Sequence, residues 1–320
     1  MLDTLKTILT GAVRIWQEEE FFCFSRFTRD QAEILRRRGF HPREESSAGM
    51  RLEFTTRGGE IAFEYMALPG SGRGYYGLEV TVDGLGVYHA DYDTLPHAGS
   101  LHYAVLESEM PRRVCVYFPN LAQLRIRNLI LPTDAEACPR KRNYLALGDS
   151  ITQGYDALHP NQSYANLLAD ALDAHVLNQA IGGDVFCPEN LDPALPFQPD
   201  LITVAYGTND WGTCALREDT VRAYLDKLTG LYPGVPVFLL LPIWRSVEEE
   251  VREGISLQQG RELIARCAEK HDSIRVIDCS RFVPHLAQYF YDEVLHPNDM
   301  GFLYYAGALE QAIGKHLPQE

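Results

Sequence analysis

Asn143-Tyr144-Leu145-Ala146-Leu147-Gly148-Asp149-Ser150-Ile151-Thr152 carries an apolar run straight into a tight turn. A short apolar run closed by a turn residue reads as a buried strand, and Gly148 is the closing residue. Beyond it, residues 161–173 resume at helical period, with Tyr164, Leu167, Leu168 and Leu172 on one side. A strand feeding a helix is the unit of a parallel sheet, and the carboxyl end of such a strand is where open α/β sheets place their ligands. Ser150 stands there, with its N–H in the electropositive region at a helix start, a place able to hold an oxyanion. Taken alone, Ser after Asp at a strand end is more often a helix cap than a nucleophile.

Downstream the pattern repeats. Apolar runs at His175–Asn178, Leu201–Ala205, Val235–Leu241 and Ile274–Asp278 alternate with helical stretches around Asp219–Gly230, Ile255–His271 and Met300–His316. Near-continuous apolar strands separated by helices predict a parallel sheet covered on both faces. Residues 139–320 are therefore expected to form a five-stranded, doubly wound α/β/α domain of flavodoxin-like type.

Residues 1–138 read differently. After a helical window at Asp30–Arg38 come short alternating runs such as Met50–Phe54, Ile61–Tyr65, Leu78–Val82, Arg113–Phe118 and Leu124–Ile130. Period-2 alternation broken by turns such as Arg57-Gly58-Gly59 and Asp83-Gly84 predicts antiparallel strands, enough for a sandwich of jelly-roll type. Leu131–Arg140 has linker composition, which sets the boundary at 138. Tyr65, Tyr75, Tyr76, Tyr88, Tyr92 and Tyr103 are candidates for a sugar-binding face, although packing within the sandwich is the more ordinary use of such residues.

Composition narrows the partners. The chain has 320 residues, 46% of them apolar, which suffices for a real core. A formal charge of −15 and a pI near 5.1 argue against nucleic acid or anionic membrane as main partner. The seven cysteines are odd in number and never spaced CxxC, which suits reduced thiols better than a disulfide framework or a zinc site. With neither a signal-peptide pattern nor an apolar run of spanning length, the expected location is cytoplasmic. A homo-oligomer is compatible with this composition.

The residues that carry chemistry lie at strand ends: Asn178-Gln179-Ala180-Ile181-Gly182-Gly183-Asp184, then Tyr206-Gly207-Thr208-Asn209-Asp210, and before the last helix Asp292-Glu293-Val294-Leu295-His296-Pro297-Asn298. With Gly148-Asp149-Ser150 these four blocks, in this order, resemble the SGNH, or GDSL-type, hydrolases over about residues 143–316. The resemblance implies Ser150 as nucleophile and His296 as general base. A serine hydroxyl needs such a base at neutral pH, and imidazole can return the proton to the leaving group. It also implies an oxyanion hole from the N–H of Ser150, the N–H of Gly183 and the side-chain amide of Asn209, with Gly182 giving the tight turn.

The sequence departs from the family where Asp is expected three residues before the histidine, because Glu293 occupies that place. Spacing favours Glu293 as the carboxylate that orients His296. Residue type favours Asp292, which a bulge would bring into position and which is preferred by a narrow margin; a backbone carbonyl is the third alternative. Trp211 and Trp244, also at strand ends, are, with Gly182, candidate walls of the substrate pocket. Asp149, Asp184 and Asp210 look like a metal cluster, but the resemblance implies that they structure the loops and that no metal or organic cofactor is required.

A sandwich ahead of such a domain is similar to two-domain carbohydrate esterases, so the expected substrate is a small-molecule or oligosaccharide ester, first of all an O-acetylated sugar. A lysophospholipase or thioesterase is the alternative, followed by a carbohydrate-binding protein with a vestigial site and by a metal-dependent phosphoesterase.

Overall fold

The structure, a computed structural model, describes residues 2–317. It divides into two compact units: residues through Lys141 together with Leu158–Asn161, and Arg142–Ala157 together with the residues from Gln162 on.

The first unit is built from two antiparallel sheets. One orders Leu9–Thr10, Arg51–Thr56, Arg112–Tyr117, Tyr76–Val82 and Leu85–Tyr92, with Glu136–Ala137 paired to Arg51–Thr56. The other orders Arg14–Glu18, Phe21–Ser25, Ala122–Ile130, Gly59–Pro69 and His97–Val105. Successive side chains of a strand point to opposite faces, so Ile61, Phe63, Tyr65 and Ala67 are all buried while their neighbours are not. Leu52, Phe54 and Val116 of the first sheet share one hydrophobic cluster with Phe24, Phe63 and Ile126 of the second. Tyr65 and Tyr76 are packed into this cluster and Tyr88, Tyr92 and Tyr103 lie against it. Tyr76 and Tyr92 stack, ring centroids 5.2 Å apart. The buried tyrosines thus serve packing and present no open face to a sugar.

Several charged side chains lie inside this unit, Glu53 among them. The Glu53 carboxylate is fully buried and is met by Arg51 Nε at 3.1 Å, Arg113 Nε at 2.7 Å and Arg140 Nε at 2.7 Å. Arg140 comes from the stretch read as a linker. Removing the carboxylate would leave cations buried without their partner, a change that costs about 3–5 kcal/mol. Glu53→Ala is expected to lower unfolding stability by about that amount, read from the urea transition of the first unit.

The second unit carries five parallel strands: β1 (Arg142–Gly148), β2 (Ala174–Asn178), β3 (Leu201–Ala205), β4 (Val237–Leu240) and β5 (Ile274–Ile277). Their spatial order is β2-β1-β3-β4-β5. Tyr144 to Gly148 and Leu201 to Val204 are buried without a break, as strands covered on both faces must be. Its helices are α1 (Ser150–Gln153), α2 (Tyr164–Ala171), α3 (Thr208–Gly212), α4 (Glu218–Leu231), α5 (Leu257–Ala268) and α6 (Asp299–Gly314). Helices α2 and α6 pack together, and α4 packs with α5. The strand order reverses between β1 and β3, and an open sheet has its ligand crevice at such a switch point, beyond the carboxyl ends. Gly148 pairs with Ala205 and Ala146 with Asn178, so the loops after β1, β2 and β3 leave the sheet side by side. Among the described residues no helix is long and apolar enough to cross a membrane.

Candidate active site

Ser150 is placed by three local devices. A Cβ on Gly148 would lie 2.2 Å from Thr152 Oγ1, so the chain turns there only with glycine. Asp149 is the N-cap of α1, its carboxylate accepting the N–H of Ile151 at 3.0 Å. Gly154 ends the helix after one turn at φ +95°. Ser150 is therefore the first helical residue, whose N–H has no acceptor within the helix; among the described residues that N–H donates to nothing else.

His296 reaches Ser150 from the loop before α6. Its Nε2 lies 2.8 Å from Ser150 Oγ, and its Nδ1 lies 2.6 Å from Asp292 Oδ2. The other oxygen of Asp292 accepts the backbone N–H groups of Val294, Leu295 and His296 at 3.0, 2.8 and 3.0 Å. One side chain thus both shapes the loop and holds the ring. Partial burial works against its ionisation, but the hydrogen bonds from the His296 ring and the backbone N–H groups outweigh that and hold its carboxyl well below the usual range. Glu293 is exposed and has φ +59°. That left-handed residue lets the chain turn between Asp292 and His296, and it carries its own carboxylate away from the ring. The carboxylate on His296 is therefore Asp292, not Glu293.

Two residues that the sequence reading passed over back the same ring. Tyr155 stacks on it at 5.6 Å, with 28° between planes. Asp156, fully buried and at φ +69°, brings Oδ2 to 3.5 Å from Nδ1. Both follow Gly154 directly, and no periodicity or motif spacing marks them.

The loop after β2 is fastened to this corner. Ile181 N–H donates to Gly148 O at 3.0 Å, and Gly182 N–H donates to Gln153 Oε1 at 2.8 Å. A Cβ on Gly182 would meet Tyr155 Oη at 2.5 Å, so Gly182 is a close-approach residue under the turn rather than a pocket wall. Gly183 follows at φ +87°, exposed, and its N–H has no acceptor among the described residues. Asn209 Nδ2 donates one hydrogen to Asp184 O at 3.0 Å and keeps its second donor. Three donors thus stand on the loops after β1, β2 and β3.

Asp149, Asp184 and Asp210 hold these loops by backbone capture. Asp184 accepts the N–H of Val185 and an amide hydrogen of Asn190, and Asp210 accepts the N–H groups of Phe186 and Gly207. Burial first, and the neighbouring carboxylates after it, push Asp149 up to about 7; burial likewise raises Asp210 to about 6. Asp149 in the folded chain therefore binds a proton more tightly than an unfolded aspartate, whose pKa is about 3.9. Stability from this group is present at low pH and falls as pH rises from about 4 to about 7. Asp149→Asn, which still accepts the Ile151 N–H, is expected to flatten that slope and to unfold at higher urea than the parent at pH 8.

Both strand-end tryptophans are held by neighbouring groups. Trp211 is 2% exposed, its Nε1 donates to Ile255 O at 2.9 Å, and the guanidinium groups of Arg245 and Arg252 sit over its ring at 5.2 and 4.7 Å. It pins loops together and lines a small cleft with Cys214, Leu216, Arg217, Arg252, Glu253 and Ile255. Trp244 is half-buried, stacked on His285 at 5.1 Å and packed against Phe290.

Residues 146–302 match the model of the GDSL-like Lipase/Acylhydrolase family. Comparison with curated proteins gives no match. Among solved structures, the salicylyl-acyltransferase SsfX3 from a tetracycline biosynthetic pathway is similar at TM-score 0.82 and 20% identity, covering 96% of this chain and 94% of that one. A family two carbohydrate esterase from Clostridium thermocellum in complex with cellohexaose gives TM-score 0.66 and 15% identity, covering 96% and 98%. The acetyl xylan esterase Est2A from the rumen bacterium Butyrivibrio proteoclasticus gives 0.61 and 15%, covering 97% and 96%. At these identities the likeness is one of fold.

Proposed function

Residues 146–302 place this chain in the GDSL-like lipase/acylhydrolase family, and from that premise we propose that it is a serine esterase working through an acyl-enzyme. The observation that carries the reading is the unbroken relay Ser150 Oγ, His296 Nε2, His296 Nδ1, Asp292 Oδ2, at 2.8 and 2.6 Å. His296 Nε2 takes the Ser150 proton as Oγ attacks the ester carbonyl, and Asp292 fixes the tautomer and supports the imidazolium. The oxyanion lies against the N–H groups of Ser150 and Gly183 and the free amide hydrogen of Asn209. The ester C–O bond breaks as Nε2–H protonates the departing alkoxide. Water, deprotonated by His296, then attacks the acyl-enzyme, and Ser150 recovers its proton.

One oxyanion donor contributes about 10²–10³ in kcat when removed. Asn209→Ala is expected to lower kcat by about that factor with KM within about twofold, measured with p-nitrophenyl acetate.

The substrate reading is a short acyl group, acetyl first, on a carbohydrate alcohol. Support comes from the carbohydrate esterases among the similar structures and from a two-unit chain whose first unit is read as a jelly-roll-like accessory domain ending near residue 138. Rates on p-nitrophenyl esters from acetate to laurate, and acetate release from acetylated xylo- and gluco-oligosaccharides, test it. Acetate preference supports it, whereas a laurate preference supports the lysophospholipase or thioesterase alternative. The similarity to an acyltransferase favours a second reading, in which an alcohol other than water takes the acyl group from Ser150. Product partition between hydrolysis and alcoholysis in the presence of added sugar alcohols separates the two. Seven cysteines, odd in number and never spaced CxxC, support a reducing, cytoplasmic setting.

A further inference from the structure

The strand Arg14-Ile15-Trp16-Gln17-Glu18 directs Arg14, Trp16 and Glu18 to one face of its sheet. Trp16 pairs with Cys23 and Arg14 with Ser25. The antiparallel pairing of Phe22 with Ile126 carries those rows on to Arg125 and Gln123. Phe22, Phe24, Leu124 and Ile126 point the other way, into the core, so Trp16, Gln123 and Arg125 share the outer face. The helix Arg29–Arg37 and the turn Arg43–Glu45 border that face and leave a cleft of about 490 Å³, within the range of small-ligand sites, about 300–1,000 Å³.

Three polar atoms of the cleft-lining residues have no hydrogen-bond partner although they are buried: Glu44 Oε2, Gln123 Oε1 and Arg125 Nε. Glu44 is 1% exposed and Gln123 5%. Unpaired buried polar atoms cost stability, and folded proteins seldom keep them together without a use. Here two acceptors and a donor belong to residues that line one cleft.

Charge narrows what they would meet. Four arginines and four glutamates line the cleft, so the formal charges cancel and an anion gains little. A ligand with hydroxyls that both donate and accept, and an apolar flank to lie on the Trp16 indole in place of the Arg14 guanidinium now over that ring at 5.2 Å, fits this set. Arg14, Trp16 and Arg29 also line a second cleft, of about 690 Å³, which extends past Trp16 toward Lys6 and Ala12. The two clefts adjoin at Arg14, Trp16 and Arg29.

We propose that the first unit carries a groove for a neutral oligosaccharide, with Trp16 as platform and Glu44, Gln123 and Arg125 as its hydroxyl partners. None of the groove's residues belongs to the Ser150 site. The test uses the full chain with Ser150→Ala, so that binding is read without turnover, and titrates cellohexaose, xylohexaose and inorganic phosphate by calorimetry. At least one hexaose is expected to bind and phosphate is not. Trp16→Ala and Gln123→Met are each expected to weaken hexaose binding about tenfold or more, and to leave p-nitrophenyl acetate hydrolysis by the Ser150 form unchanged. Gln123→Met is also expected to raise the urea midpoint, because it removes an unpaired buried acceptor, which a merely structural glutamine would not do. Absence of binding by both hexaoses, unaltered affinity in the two variants, or binding of phosphate alone would overturn the proposal. Failure of the esterase reading would show in the turnover arm and leave the binding arm intact.

Discussion

Ser150→Ala is expected to lower kcat for p-nitrophenyl acetate by about 10⁴–10⁶-fold, the loss seen when a serine nucleophile is deleted and only the oxyanion donors and binding remain. The fold should tolerate it. Ser150 caps nothing, since Asp149 does the capping and the Ser150 hydroxyl meets only His296 Nε2 among the described residues. Circular dichroism and the urea midpoint of the variant should therefore match the parent within experimental error, separating lost chemistry from lost structure. A residual rate within tenfold of the parent would show that another group delivers the attack.

The second large effect belongs to Asp292. Asp292→Asn should lower kcat about 10³–10⁴-fold, because an amide nitrogen facing Nδ1 forces the wrong tautomer and no longer supports the imidazolium. The amide oxygen of asparagine can still accept the N–H groups of Val294, Leu295 and His296, so the loop is expected to keep its course. Glu293→Gln is the matched control and should stay within about twofold, since that side chain is exposed and turned away from the ring. The same carboxylate also links activity to acid stability. Its folded pKa is depressed, so its contribution to stability is present above the unfolded value, about 3.9, and is lost as pH falls through the folded one. Reversal of the two kinetic results would reassign the partner of His296 to Glu293.

Much of the second unit was legible because burial on both faces writes itself into sequence. Tyr144 to Leu147 and Leu201 to Val204 read as strands for the same reason that they are inaccessible. The blocks at the strand ends were legible as a set, since parallel strands deliver their carboxyl ends to one edge. The partner of His296 was only half legible. Whether residue 292 or 293 meets the ring depends on the left-handed backbone of Glu293, a conformation that spacing does not encode for a non-glycine residue. Tyr155 and Asp156 were illegible for a related reason: they act through a close approach of loops distant in sequence. Trp211 was legible as a strand-end aromatic, but the two guanidinium groups over its ring were not, since Arg245 and Arg252 reach it from a distant loop.

In the first unit, Arg14–Glu18 was hidden by the charged run that follows Trp16, since an edge strand with one partly open face shows little apolar alternation. Val251–Arg252 and Ile255–Ser256 form a small antiparallel pair where the helical pattern had been read from Ile255. The helix begins at Leu257, with Ser256 and Gln259 as a capping box, a signal present in the sequence but overridden by the longer period.

The central claim is that the loops after β1, β2 and β3 and the loop before α6 meet over the hydroxyl of Ser150. Its most direct test is to react the parent protein with a fluorophosphonate and locate the adduct by peptide mass spectrometry. A single phosphonyl group on Ser150, absent from Ser150→Ala and formed far more slowly in His296→Ala, is the predicted result. An adduct on any other residue, or equal labelling of the parent and Ser150→Ala, would contradict it.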